Sequence, residues 1–265
     1  LNSNGATSIG NELWRGHVRI YQNVDGTWTK TGDDIDGELA EDLSGGAVSL
    51  SADGSIVAIG AVQNDGNGNN SGHVRIYQNV NGTWTKLGDD IDGEAAGDYS
   101  GHAVSLSADG SVIAIGAYKN DGPGTDRGHV RIYQNINNTW TKVGDDIDGE
   151  NSYDFSGYSV SLSADGSLVA IGAVQNSGNG SNSGHVRIYQ NKNGTWEQVG
   201  DDLDGEAAYD YSGGSVSLSS DGSVVAIGAS SNDGNGISSG HIRIYQIDLD
   251  KTSPFIAGPS GDAGA

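Results

Sequence analysis

Five of the six histidines in this chain stand in one heptapeptide, Gly-His-(Val/Ile)-Arg-Ile-Tyr-Gln. They are His17, His73, His129, His185 and His241, each two residues before an arginine and four before a tyrosine. Alternate positions of a strand share one face, so an imidazole, a guanidinium and a phenol are brought together there, either as ligands or as packing groups with hydrogen bonds. A second recurring set is acidic. Asp-Asp-(Ile/Leu)-Asp-Gly-Glu occupies residues 33–38, 89–94, 145–150 and 201–206, with a further Asp at 42, 98, 154 and 210; these are 20 of the 35 acidic residues. Carboxylates at that density can hold a cation. They can equally be solvated loops, because Asp-Gly turns bond their own backbone and need no metal. Paired carboxylates such as Asp89 and Asp90 also suggest glycoside hydrolysis, but neighbours on a strand face opposite ways.

All these groups come in four or five near-copies, whereas catalysis needs one privileged constellation. No catalytic residue and no cofactor is expected. A buried guanidinium demands an acceptor. Arg19, Arg75, Arg131, Arg187 and Arg243 are therefore expected to pair with recurring carboxylates between repeats, Asp34, Asp90, Asp146 and Asp202. Trp84, Tyr99 and Asn67 are typical of the residues that would form a shallow glycan site, and identical weak sites on one scaffold gain avidity. The opposing reading is that these Trp cover edges and these loops simply turn. His102 breaks the pattern, standing where the other repeats have Gly46, Tyr158 and Gly214.

The elements that position these residues follow from the period. The heptapeptides begin at Gly16, Gly72, Gly128, Gly184 and Gly240, always 56 residues apart. Such a period means one supersecondary unit copied and stacked. In the unit at residues 101–149, Val104-Ser105-Leu106-Ser107 alternates as a half-buried strand. Asp109-Gly110 reads as a two-residue hairpin turn. Residues 112–117 are apolar or small on both faces, as an interior strand is. A third strand runs from His129 to Gln134, with Val130 and Ile132 on one face and His129, Arg131 and Tyr133 on the other. After a turn at Asn137-Asn138 comes a fourth strand with Trp140 and Lys142. No helix is expected. Four short antiparallel strands per repeat make a β-propeller blade.

The stretch from Asp98 to Ala117 also resembles the FG-GAP repeat of integrin-α-type propellers and their bacterial relatives. In that family a Phe-Gly pair opens the first strand and Gly-Ala-Pro closes the second. Here the openers are Ser44-Gly45, Ser100-Gly101, Ser156-Gly157 and Ser212-Gly213, and the closers are Gly60-Ala61, Gly116-Ala117, Gly172-Ala173 and Gly228-Ala229, none followed by Pro. The resemblance implies a propeller. Its calcium loop does not carry over: tight turns stand at Asp53, Asp109, Asp165 and Asp221, too short to supply six to eight oxygens. Whether any other cation is bound stays open.

The sequence thus predicts an all-β propeller of four-stranded antiparallel blades with at least five blades. The array spans residues 1–246: an incomplete blade at 1–37, full blades at 45–93, 101–149 and 157–205, and an incomplete blade at 213–246 that lacks its fourth strand. Residues 247–265 read as a Pro/Gly-rich linker or disordered tail. The chain looks like a module of a larger extracellular or cell-surface protein. With a charge of -22, no Cys and no run of 18 apolar residues, nucleic acid and membrane insertion are poor expectations. Protein segments, self-association through incomplete blades, or glycans remain as partners. The favoured function is structural or adhesive, and a multivalent lectin-like propeller is the alternative.

Overall fold

The computed structural model describes residues 14–249 and 255–257. Among them there is no helix, and the strands fall into five successive blades. The third blade shows the plan. Ala103–Leu106, Val112–Ala117, His129–Ile136 and Thr139–Lys142 pair antiparallel in that order. A two-residue strand, Ile147–Asp148, pairs with the start of the third strand. The outer edge is therefore shared by two short strands in succession, and part of the acidic segment read as loop is ladder. The second and fourth blades repeat this plan. Among the described residues, the first blade has only the third- and fourth-strand types and the short strand Ile35–Asp36.

The last blade differs from expectation. Phe255–Ala257 pairs antiparallel with His241–Ile247 and supplies the fourth strand, so part of the segment read as a linker or tail is structured. It was hidden because it is out of phase. Two residues separate Thr195–Gln198 from its partner strand, whereas seven separate Phe255–Ala257 from Ile247, and the late strand carries no Trp.

Blades stack through apolar faces. Val130, Ile132 and Ala114 of the third blade pack against Leu162, Val169, Ile171 and Tyr189 of the fourth. On the opposite face of the third blade, Leu106, Ile113, Ile115, Tyr133 and Trp140 meet Ile56, Ala58, Val74 and Ile76 of the second. The third strand thus buries Val130 and Ile132 forward and Tyr133 backward, which is the alternation its sequence carries. Main-chain bonds also cross the joints: Ala52 N donates to Ala108 O, and Ala108 N to Ala164 O, each at 2.8 Å.

The turns are distributed differently from the sequence reading. The two-residue hairpin turn is Asn81-Gly82, with φ of 53° and 87°, between Val80 and Thr83. Both residues have the positive φ that a type I′ turn requires. The Asp-Gly turns are four-residue loops instead, because flanking serines cap them. Ser51 Oγ and the Ser55 N–H and Oγ donate to Asp53 Oδ1 at 2.7–2.9 Å, while Ser51 Oγ accepts from Ile56 N.

These donors hold Asp53 and Asp221 down at about 2: the Ser55 N–H first at Asp53, the Ser219 hydroxyl first at Asp221. Asp165 is lowered in the same way, chiefly by the Ser163 hydroxyl. A depressed carboxyl stabilises the fold above its unfolded value near ~3.9, and that contribution is lost as pH falls through the folded value. Thermal unfolding followed by circular dichroism should show the midpoint dropping between about pH 4 and pH 2. Asp53→Asn, Asp165→Asn and Asp221→Asn together should flatten that limb.

Candidate functional site

The recurring polar residues meet at the joints between blades. Four of the five recurring arginines reach back into the preceding repeat. Arg75, Arg131, Arg187 and Arg243 donate from Nη2 to the main-chain carbonyls of Asp36, Asp92, Asp148 and Asp204 at 2.8, 2.6, 2.7 and 2.5 Å. Nη1 of the first three lies 3.5–3.7 Å from Glu38, Glu94 and Glu150. The guanidinium also stands within 6 Å of the Tyr ring two residues on, at Tyr77, Tyr133, Tyr189 and Tyr245. Arg75, Arg131 and Arg187 are buried.

The acceptors assigned from sequence are corrected. Asp90 and Asp146 bond Lys86 and Lys142 of their own blades at 2.6 Å, and Asp202 accepts from Gln198 at 2.7 Å. Only Asp34 pairs with its arginine, Arg19, at 2.9 Å and at an exposed position. The preference has a geometric cause. Lys and Asp four residues apart sit across one outer edge, while the arginine points away into the joint.

Beside each arginine lies a histidine. His73, His129 and His185 are at most 2% exposed, and Nε2 of each has no hydrogen-bond partner. Burial pushes His73 below the ordinary imidazole range and His129 to about 4, with the neighbouring arginine adding to both shifts. Three groups recur: Glu38, His73 and Asp90; Glu94, His129 and Asp146; Glu150, His185 and Asp202. Within each, one donor atom per residue lies within 4.8 Å of the others, and the glutamate comes from the preceding repeat. These are the described residues best placed to hold a metal.

The glycan trio is not one site. Trp84 Nε1 donates to Thr31 O of the first blade at 2.8 Å, and Trp140 and Trp196 repeat that bond to Leu87 O and Val143 O. Asn67 spends its amide on Gly93 O and Glu94 O, both at 2.9 Å. Tyr99 lies on the neighbouring loop, its N–H donating to Asn70 O. The eight-residue strand His73–Val80 separates that loop end from the hairpin next to Trp84.

What the sequence reading missed is an aromatic band around Tyr99. His102 packs at a tilt between Tyr118 at 4.4 Å and Tyr158 at 4.8 Å; Phe155 meets Tyr118 edge-on at 5.4 Å; Lys119 lies 4.8 Å over Tyr99. A groove of about 580 Å³ runs from Phe155 and Tyr158 to Tyr211. Tyr99, Phe155 and Tyr211 hold φ of 54–57°, a costly conformation for bulky residues. The available signal was the break in periodicity at Tyr118-Lys119, where two other repeats have Val-Gln.

The loops between second and third strands explain their own acids. Asp65, Asp121 and Asp233 each accept a main-chain N–H five residues on, and Ser177 Oγ does the same for Asn182. A serine that can replace the carboxylate marks a cap, not a cation ligand. Millimolar Ca²⁺ is accordingly expected to leave the melting temperature where Mg²⁺ at equal ionic strength leaves it, and Asp121→Ser should melt with the parent chain. A calcium-specific rise lost in that variant would contradict this.

Residues 91–133 match the FG-GAP repeat family. No match was found among curated protein sequences. Among solved structures the chain is similar to a protein of Bacteroides fragilis provisionally named 6-phosphogluconolactonase: 14% identity and a TM-score of 0.59, over 91% of this chain and 63% of that one. A Bacteroides uniformis protein with the same provisional name shows 12% identity and a TM-score of 0.45, over 86% and 74%. At these identities the likeness bears on fold alone. The matched segment runs from Ile91 to Tyr133, spanning opener Ser100-Gly101 and closer Gly116-Ala117, so the chain carries the FG-GAP repeat within a β-propeller.

Proposed function

We propose that this chain is a non-enzymatic structural or adhesive module of a larger cell-surface or secreted protein, and that it works through blade-to-blade contacts with protein partners. One observation carries the reading. Val74 and Ile76, Val130 and Ile132, and Val186 and Ile188 are buried by the following blade, while their counterparts Ile242 and Ile244 in the last blade are 72% and 53% exposed. The first blade presents the matching backward face, with Tyr21 and Trp28 also exposed. The partner that fits such a face is another blade of this repeat. Light scattering on the eluting chain should give a mass that rises with concentration, and Ile242→Asp with Ile244→Asp should return it to the monomer. A chain that stays monomeric at all concentrations, with or without the two substitutions, contradicts the reading.

The second reading, a carbohydrate-binding propeller, draws support from the groove at Phe155, Tyr158 and Tyr211 rather than from Trp84 and Asn67. Apolar walls with a few polar groups are what a small-ligand site needs. A glycan array separates the two: a saccharide-specific signal lost in Tyr158→Ala favours the lectin.

A further inference from the structure

The joint between the third and fourth blades holds the most unbalanced polar group in the described chain. His185 is 1% exposed; its Nε2 has no hydrogen-bond partner, and its Nδ1 makes no well-aligned bond. Its Nδ1 lies 3.4 Å from Asp202 Oδ2 and 4.0 Å from Asp204 Oδ1. Glu150 joins them from the preceding repeat, with all three donor atoms of Glu150, His185 and Asp202 within 4.8 Å of one another. Buried polar atoms are nearly always satisfied in native proteins, so an orphaned imidazole facing two carboxylates calls for a missing partner.

The chemistry of the donors narrows what that partner is. One imidazole with two carboxylates suits Zn²⁺ and its first-row neighbours, whereas Mg²⁺ and Ca²⁺ favour all-oxygen shells. Three protein ligands leave a fourth position for water. At zinc bond lengths tetrahedral donors stand about 3.4 Å apart, so the present spread has to contract by up to about 1.4 Å, within the reach of side-chain rotation.

The three copies are not equal. In the first two groups a lysine ammonium sits 2.6 Å from Asp90 or Asp146 and competes with any cation. In the third, the neutral Gln198 amide takes that place and bonds Asp202 Oδ1, leaving Oδ2 toward His185. Arg187 approaches Glu150 through Oε1 only, at 3.7 Å. The third joint therefore carries one cation fewer. The last joint is incomplete, since His241 and Glu206 approach at 3.5 Å but the position 56 residues after Asp202 is Gly258.

We propose that Glu150, His185 and Asp202 form a Zn²⁺-class site that clasps the third and fourth blades, with the groups at His129 and His73 as weaker copies. The test is calorimetric titration of the whole chain, stripped with chelator, with Zn²⁺ alone at pH 7.5, repeated with Co²⁺ under visible absorption. The expected result is one tight site per chain. Asp202→Asn should weaken it at least tenfold and remove the Co²⁺ bands, and excess Mg²⁺ or Ca²⁺ should not compete. Gln198→Lys installs the residue that the other joints already tolerate, so it should fold, and it should bring the tight site down to the level of the weaker ones. Zn²⁺ uptake that is equal in the parent chain, Asp202→Asn and Gln198→Lys would mean adventitious binding to surface carboxylates and overturn the site. So would no uptake above that of a His185→Asn chain.

Discussion

Gly116→Ala should be among the most damaging single-methyl substitutions in this protein. A Cβ on Gly116 would land on the carbonyl oxygen of Gly157 in the next blade, and Gly60 and Gly172 stand in the same relation to Gly101 and Gly213. The partner is main chain, so nothing short of parting the blades relieves the clash. The expected loss is about 3 kcal/mol or more, at the upper end of overpacking costs. The last blade supplies the control. A Cβ on Gly228 meets first the Ser215 side chain, which can rotate away, so Gly228→Ala should cost about 1 kcal/mol or less. Urea unfolding of both variants checks the pair. Equal midpoints would mean that the blades do not approach through these glycines. The same contact gives the repeat's two short motifs a physical meaning: the glycine that closes one second strand touches the glycine that opens the next blade.

The second large effect belongs to the arginines. Arg131→Ala or Arg187→Ala removes a buried guanidinium and leaves the Asp92 or Asp148 carbonyl without its donor and Glu94 or Glu150 without its cation. Glu94 and Glu150 are solvent-accessible and rehydrate, so the cost is that of the lost charge-assisted bond and the orphaned carbonyl, about 2–3 kcal/mol. Arg19, exposed and paired only with Asp34, is the counterpart: Arg19→Ala should leave the unfolding midpoint in place, as surface pairs usually do. A lysine at 131 should rescue little, because an ammonium cannot serve the carbonyl, the carboxylate and the Tyr133 ring in one fork.

Much of this architecture is legible in the sequence, because a 56-residue period and strand alternation are local signals. The third strand shows why. Val130 and Ile132 read as one face and His129, Arg131 and Tyr133 as the other, and the packing follows that division. The identity of the arginine's partners is not local. The carbonyl of Asp92 lies 39 residues from Arg131, and a main-chain acceptor leaves no mark in residue type. The acids at 90, 146 and 202 drew attention for their charge, but Lys86, Lys142 and Gln198 across the same edge hold them. The Asp-Gly pairs misled about turn length because Ser51 and Ser55 compete for Asp53. The strand Phe255–Ala257 escaped notice because its pairing depends on a vacant edge beside Gln246, not on its own motif. The aromatic band at Tyr118 and Phe155 is built from the residues that depart from the repeat, and periodicity averages such departures away.

The recurring side chains are ties between blades. Hydrogen exchange by mass spectrometry on Arg131→Ala addresses that role most directly, because exchange resolves local opening along the chain. Faster exchange is expected on both sides of one joint, in residues 89–94 of the preceding repeat and 128–134 of the mutated strand, with residues 213–229 unchanged. Loosening confined to the mutated strand, with residues 89–94 protected as in the parent chain, would contradict it.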